Sequence, residues 1–373
     1  MKINIRGYIT HKEAEKYSDC ADRYAANTSN NHFAIADGVS KSFFPDYWAD
    51  ILVNEFVTHD LDKELSIENC QIVWLNKVAD KVNAPDVKWY TKNAFIRQEP
   101  GLATFVGLRI EGGKWFASAL GDSFLFFVPN GVKGFDEWIK LSSKPLPIVF
   151  DSFPDYYSSR NKQHGEIKRI EHSLVEGTFY LMTDALSEWV FDKQNKAIEE
   201  INEKWHNQEE FERSITELRL LNVLNNDDSA ILIISVENDG ENNLTYGDVE
   251  IQNLMELVEK EKDSEVETLV TQKETFVEEV KSSNLNKVSI SDNLPIKKEN
   301  QQIFSTEIKD EIELSQNAQV IFNKCLSVYG KSLKQMESII TSIGKFSKRM
   351  KISVEEQKKI KEKLKEYGIS FKN

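Results

Sequence analysis

The sequence predicts an α+β domain, and three observations carry that reading. Short β-branched or aromatic runs bounded by turn residues recur at 33–36, 103–110, 114–120, 123–128, 179–182 and 230–236. Gly112-Gly113 joins two of them with the two residues that a tight hairpin requires. Helical periodicity then interrupts the strands. Pro45 opens a segment in which Trp48, Leu52 and Phe56 recur every four residues, and 68–82 reads as a second helix burying Val73, Val78 and Val82. Phe124, Phe126 and Phe127 belong to the core.

Composition narrows the function classes. The 373 residues suffice for one large domain and a second element. Met1-Lys2-Ile3-Asn4-Ile5-Arg6 lacks the apolar core of a signal peptide, and no apolar run is long enough to span a bilayer. A cytoplasmic protein without a membrane partner is expected. Cys20, Cys70 and Cys325 are too scattered for a disulfide framework or a zinc knuckle, and the six histidines show no ligand spacing. Residues 107–114 carry glycines but not the spacing of a phosphate-binding loop, and a hairpin accounts for both Gly112 and Gly113.

The net charge of −14 is unevenly spread. Residues 319–373 hold 13 Lys/Arg against 5 Asp/Glu, so the rest of the chain is strongly acidic, which argues against nucleic-acid binding by the main body. Residues 241–318 hold 18 acids against 8 lysines with few aromatics. That is too little apolar surface to offset ordering entropy. Three regions are therefore expected: a domain at 1–239, an acidic, largely disordered linker at 240–301, and a basic helical module at 302–373. In the last, Leu314, Ala318, Ile321, Cys325 and Val328 form one stripe, and Leu333, Met336, Ile340, Ile343 and Phe346 another. Ser353-Val354-Glu355-Glu356 has capping-box spacing for a third helix. Such helices would dock a protein partner, self-associate, or fold back on the acidic body and limit access to it.

Four aspartates at the edges of apolar runs carry the chemistry. They are Asp22, Asp37 (closing Phe33-Ala34-Ile35-Ala36), Asp184 (after Leu181-Met182-Thr183) and Asp227 (before Asp228-Ser229-Ala230-Ile231). A carboxylate at the end of a buried strand is costly to desolvate without a partner, and several together suit hard ions such as magnesium or manganese.

At these residues the chain resembles the type 2C metal-dependent protein serine/threonine phosphatases over roughly its first 236 residues. The order of motifs carries the resemblance: Asp22-Arg23; Asp37-Gly38; Ala103-Thr104-Phe105-Val106-Gly107; Gly121-Asp122-Ser123; Thr183-Asp184; and Asp227-Asp228 leading into a strand. It implies two packed antiparallel sheets flanked by helices, with a metal site at one end. It also implies hydrolysis of phosphoserine and phosphothreonine on proteins by a water bridging two divalent cations, magnesium or manganese. Asp37 would bridge the ions, the Gly38 carbonyl would complete one shell, and Asp22, Asp184 and Asp227 would serve the pair. Asp122 would hold a third ion, and Lys16 would grip phosphate. A phosphoprotein substrate and a cognate kinase are the implied partners. The chain departs from the family at Ala21, where an acid is usual, at Val39, where a histidine is common, and at Ala185, where glycine is usual. These departures give the alternative: a phosphatase-fold binding module without turnover.

Overall fold

In a computed structural model, residues 1–58, 65–150, 153–240, 243–263, 353, 358–360 and 362 are described. The chain divides into two units, 1–288 and 289–373. The first unit has an α+β architecture, as the sequence predicts. It opens with β1 (Lys2–Thr10), the hairpin of β2 (Arg23–Asn27) and β3 (His32–Ala36), and helices α1 (Pro45–Thr58), α2 (Ile67–Val82) and α3 (Trp89–Ile96). There follow β4 (Leu102–Ala103), β5 (Phe105–Glu111), β6 (Lys114–Leu120), β7 (Phe124–Pro129), β8 (Ile139–Leu141), β9 (Tyr157–Ser158), β10 (Lys168–Ser173) and β11 (Gly177–Met182). Three helices, α4 (Asp184–Lys193), α5 (Asn195–Lys204) and α6 (Gln208–Leu220), precede β12 (Ser229–Glu237) and β13 (Thr245–Ile251).

One sheet has the order β13-β1-β12-β11-β7-β8 and the other β10-β6-β5-β3-β2, with β4 and β9 paired beside them. Alternation along the strands explains the layering. Ile3, Ile5, Phe33, Ile35, Val106, Leu108, Phe179, Leu181, Leu232 and Ile234 point inward and fuse into one core between the sheets. The opposite face of the first sheet offers Tyr8, Phe126, Tyr180, Ile231 and Ile233 to Trp189, Trp205 and Phe211 of the α4–α6 region. The opposite face of the second offers Ala34, Ala36 and Phe105 to Trp48, Leu52 and Trp74 of α1 and α2. Helices thus cover parts of both outer faces, and among the described residues no helix is long and apolar enough to cross a membrane.

Some details depart from the periodicity. The buried stripe of α2 runs through Cys70, Trp74, Val78 and Val82, leaving Val73 43% exposed. Four-residue spacing through Trp74 wins because the indole fills far more of the core than a valine at 73 could. Gly112 and Gly113, at φ +57° and +74°, form the expected turn, with Glu111 opposite Lys114. Past the expected boundary at 239, β13 pairs parallel to β1 and residues 254–263 are helical, packing Leu257 and Val258 on the inter-sheet core. The ordered body therefore extends into the segment expected to be linker. Of the module expected at 302–373, the two apolar stripes and most of the third helix lie outside the described residues; residues 358–360 are helical.

Candidate functional site

Strand pairing brings the aspartates to one end of the sandwich. Arg23 faces Ala36 in the β2–β3 hairpin, so Asp22 and Asp37 flank its open end. Met182 of β11 faces Ile231 of β12, and the Thr183 amide donates to the Ala230 carbonyl at 3.2 Å. Asp184, the first residue of α4, therefore emerges beside Asp227 and Asp228, which lead into β12. Thr10, the last residue of β1, faces Ser229 and places the segment beginning at His11 at the same end. Asp122 joins β6 to β7, whose ends face Phe105 and Met182.

The residues around these aspartates fix their loops. Thr104 donates its amide to the Asp37 carbonyl at 2.9 Å and accepts from the Asp37 amide on Oγ1 at 3.3 Å. The Thr104 and Ser123 hydroxyls are 2.6 Å apart, which ties the Asp37 loop to the Asp122 loop. Gly38 lies so close to the Ala21 and Pro45 carbonyls that an added Cβ would approach each to 2.9 Å. Gly121 combines φ +108° with a Cβ position 2.5 Å from the Thr104 side chain, so only glycine fits there. The small residues of these motifs are requirements of backbone approach.

The electrostatics follow from crowding. Burial, with the charges of Asp228 and Asp184 next, pushes the Asp22 carboxyl well above the usual carboxylate range. Asp37 moves the same way through burial and then Asp184, Asp22, Asp122 and Asp227, and Asp184 is pushed up to about 8 by burial, Asp122 and Asp227. Asp22 Oδ2 is buried and makes no hydrogen bond among the described residues. Three neighbouring carboxylates accept backbone amides. Asp228 accepts from the Lys12 amide at 3.0 Å and the Ala21 amide at 2.8 Å, Asp184 from the Ala185 amide at 2.6 Å, and Asp227 from the Asp228 amide at 2.8 Å. Lys144 Nζ lies 3.7 Å from Asp122.

A lysine that sequence reasoning missed stands among them. Lys12 Nζ lies 2.8 Å from Asp227 Oδ1 and donates to Ser40 Oγ at 2.6 Å. Burial lowers its pKa, but the bond to Asp227 and the charges of Asp228, Asp227 and Asp22 outweigh this and hold it protonated. Lys16, the expected phosphate contact, is exposed at the start of the 3-10 turn Tyr17–Asp19. Nothing in Thr10-His11-Lys12 distinguishes Lys12 from a solvated lysine; only the pairing of β1 with β12 brings it inward. Cys20 is buried and its thiol is pushed up by burial, as suits a small core residue.

No protein-family model matches the sequence, and no curated protein matches it. Solved structures do. The serine/threonine phosphatase Stp1 from Staphylococcus aureus superposes with a TM-score of 0.41 at 13% identity, over 64% of this chain and 98% of its own. The catalytic domain of the serine/threonine protein phosphatase PstP, in complex with two manganese ions, gives 0.39 at 14%, over 62% and 97%. PppA, a regulatory component of the type VI secretion system in Pseudomonas aeruginosa, gives 0.39 at 15%, over 63% and 98%. The chain resembles the type 2C phosphatases. At this identity and superposition the likeness assigns no activity, and the site must be judged on its own residues.

Judged so, the departures from the type 2C pattern have local roles. Ala21 is buried and gives its amide to Asp228, and the Ala185 amide donates to the Asp184 carboxylate. Ser40, in the loop after Val39, accepts from Lys12. Among the described residues no group of three or more His, Cys, Asp or Glu is gathered closely enough to hold a metal ion as the side chains stand. The donor set nonetheless fits a hard divalent cation. It is all oxygen, burial and neighbouring carboxylates raise the pKa of Asp22, Asp37 and Asp184, and Asp22 Oδ2 is buried without a hydrogen bond among the described residues.

Proposed function

We propose that this protein hydrolyses phosphoserine and phosphothreonine on proteins with the help of divalent cations. The observation that supports this most is the convergence of Asp22, Asp37, Asp184 and Asp227, from three loops and the first turn of α4, on one end of the sandwich, where burial and neighbouring carboxylates burden Asp22, Asp37 and Asp184. Asp22, Asp37, Asp184 and Asp227, with the Gly38 carbonyl, would hold magnesium or manganese, and Asp122 a further ion. Bound there, such ions would supply Lewis acidity and neutralise charge on the phosphoryl oxygens. The chain's own residues do the rest. Thr104 and Ser123 lock the Asp37 and Asp122 loops together, and Asp228 fixes the Ala21 and Lys12 backbones by its two hydrogen bonds. Lys12, held protonated by the neighbouring aspartates, would meet an incoming phosphate in place of Lys16.

The second reading, a binding module without turnover, is favoured by one observation: the Lys12–Asp227 ion pair already neutralises one of the four carboxylates. Hydrolysis of a phosphothreonine peptide, with and without manganese, separates the two. Manganese-dependent turnover that falls at least roughly a hundredfold in Asp37→Asn supports hydrolysis. No turnover of any phosphopeptide by the folded, manganese-supplied wild type favours the binding module.

A further inference from the structure

A cavity of about 1110 Å3 opens on the outer face of the second sheet, where the residues of β5, β6 and β10 are not covered by α1 and α2. It opens on the sheet face rather than at the aspartate end, although Phe105 on its floor adjoins Thr104, which holds the Asp37 loop. His32, on its wall, begins β3, whereas Asp37 follows the other end of that strand, about 16 Å of extended chain away. In a chain of net charge −14 the lining is cationic: Arg109, Arg160, Lys162 and Arg169 contribute to it. Of the two acids on the wall, Glu171 is held by Lys114 at 2.6 Å, and Glu68 is the other.

The cations are presented on aromatic surfaces. The Arg160 guanidinium lies 5.4 Å from the Trp74 ring centre and 5.3 Å from that of Phe95, and its buried Nε has no hydrogen-bond partner among the described residues. Arg109 lies 4.6 Å over Phe116. Phe105 and Tyr157 add an edge-to-face pair to the floor. Guanidinium groups backed by rings recognise phosphates and planar π-systems together. His32 supplies a third element. It is 3% exposed, and its Nδ1 lies 3.2 Å from the Phe56 carbonyl, which can only accept, so Nδ1 carries the proton. Burial lowers the pKa of the ring, so it is neutral and its Nε2 is an acceptor; that atom is buried with no partner among the described residues.

A ligand that satisfies all three carries an anion for the arginines, a planar ring for the aromatic floor and a hydrogen-bond donor for His32. We propose that the cavity binds a nucleoside monophosphate, independently of the aspartate site. The volume suffices, since ligand cavities commonly measure about 300–1,000 Å3. Isothermal titration of the full chain with AMP, in EDTA so that no divalent ion attracts phosphate to the aspartates, tests it. One saturable site is expected, with affinity at least tenfold weaker in the Arg109→Gln/Arg160→Gln double variant, no binding in Ser118→Trp, which fills the cavity, and no change in Asp37→Asn. Absence of saturable AMP binding, equal affinity for inorganic phosphate, or full affinity in the folded arginine and Ser118→Trp variants overturns the proposal.

Discussion

Lys12 and Asp228 show what single residues contribute at the crowded end of the sandwich. Lys12 offsets charge that a cation would otherwise neutralise, so Lys12→Gln should tighten manganese binding severalfold in a calorimetric titration; unchanged or weaker binding would show that the ion pair with Asp227 is incidental. The pH dependence of the metal-free protein has a definite sign. Asp22, Asp37 and Asp184 have raised pKa values, so the folded state retains protons that the unfolded chain releases. Stability is then fully present below the ordinary carboxylate pKa near 4 and declines as pH rises, for Asp184 through about 8. Urea midpoints measured in EDTA should therefore fall between pH 5 and pH 8.5, and a flat profile would contradict the crowding. The aspartates were legible because each borders an apolar run. Lys12 was not, since its placement depends on β1 reaching across 219 residues to β12. Asp228 was visible only as a neighbour of Asp227, and its role as acceptor for two backbone amides is a product of the fold.

Among the elements, the loops that bring β1, β2 and β12 to a common end depend on that acceptor. Asp228→Ala would leave the buried Ala21 amide and the Lys12 amide without their partner, at about 1–3 kcal/mol for each amide left unsatisfied. A chemical-denaturation ΔΔG below about 0.5 kcal/mol would mean that solvent or a neighbour replaces it. Strongly apolar strands, such as β5, β6 and β12, were legible to within two residues of their ends. The edge strand β13 was not. Its sequence, Thr245-Tyr246-Gly247-Asp248-Val249-Glu250-Ile251, is half acidic or small, and what orders it is the backbone ladder to β1 together with the Tyr246 hydroxyl donating to Asn31 at 2.7 Å. In α2 the expected burial of Val78 and Val82 holds, and only Val73 gives way to the larger Trp74.

In the first unit, two sheets with helices on their outer faces place the five candidate aspartates at one end and leave a cationic cavity on a sheet face. The packed layers were foreseeable from the motif order, whereas the cavity was not, because its arginines come from β5 and from the residues after β9, far apart in sequence. A tail that docks partners rather than gating the site predicts unchanged turnover when 289–373 are removed, with loss of self-association or of a partner; increased turnover that weakens at high salt would instead support autoinhibition. Truncation after Asp239 would be a poor test, since it also removes β13. The central claim is that the aspartates hold divalent cations, and the most direct measurement is anomalous scattering from crystals soaked in manganese. The account predicts at least one manganese peak among Asp22, Asp37, Asp184 and Asp227, absent in Asp37→Asn. A fully soaked wild-type crystal with no peak there, its Lys12–Asp227 pair intact, would contradict it.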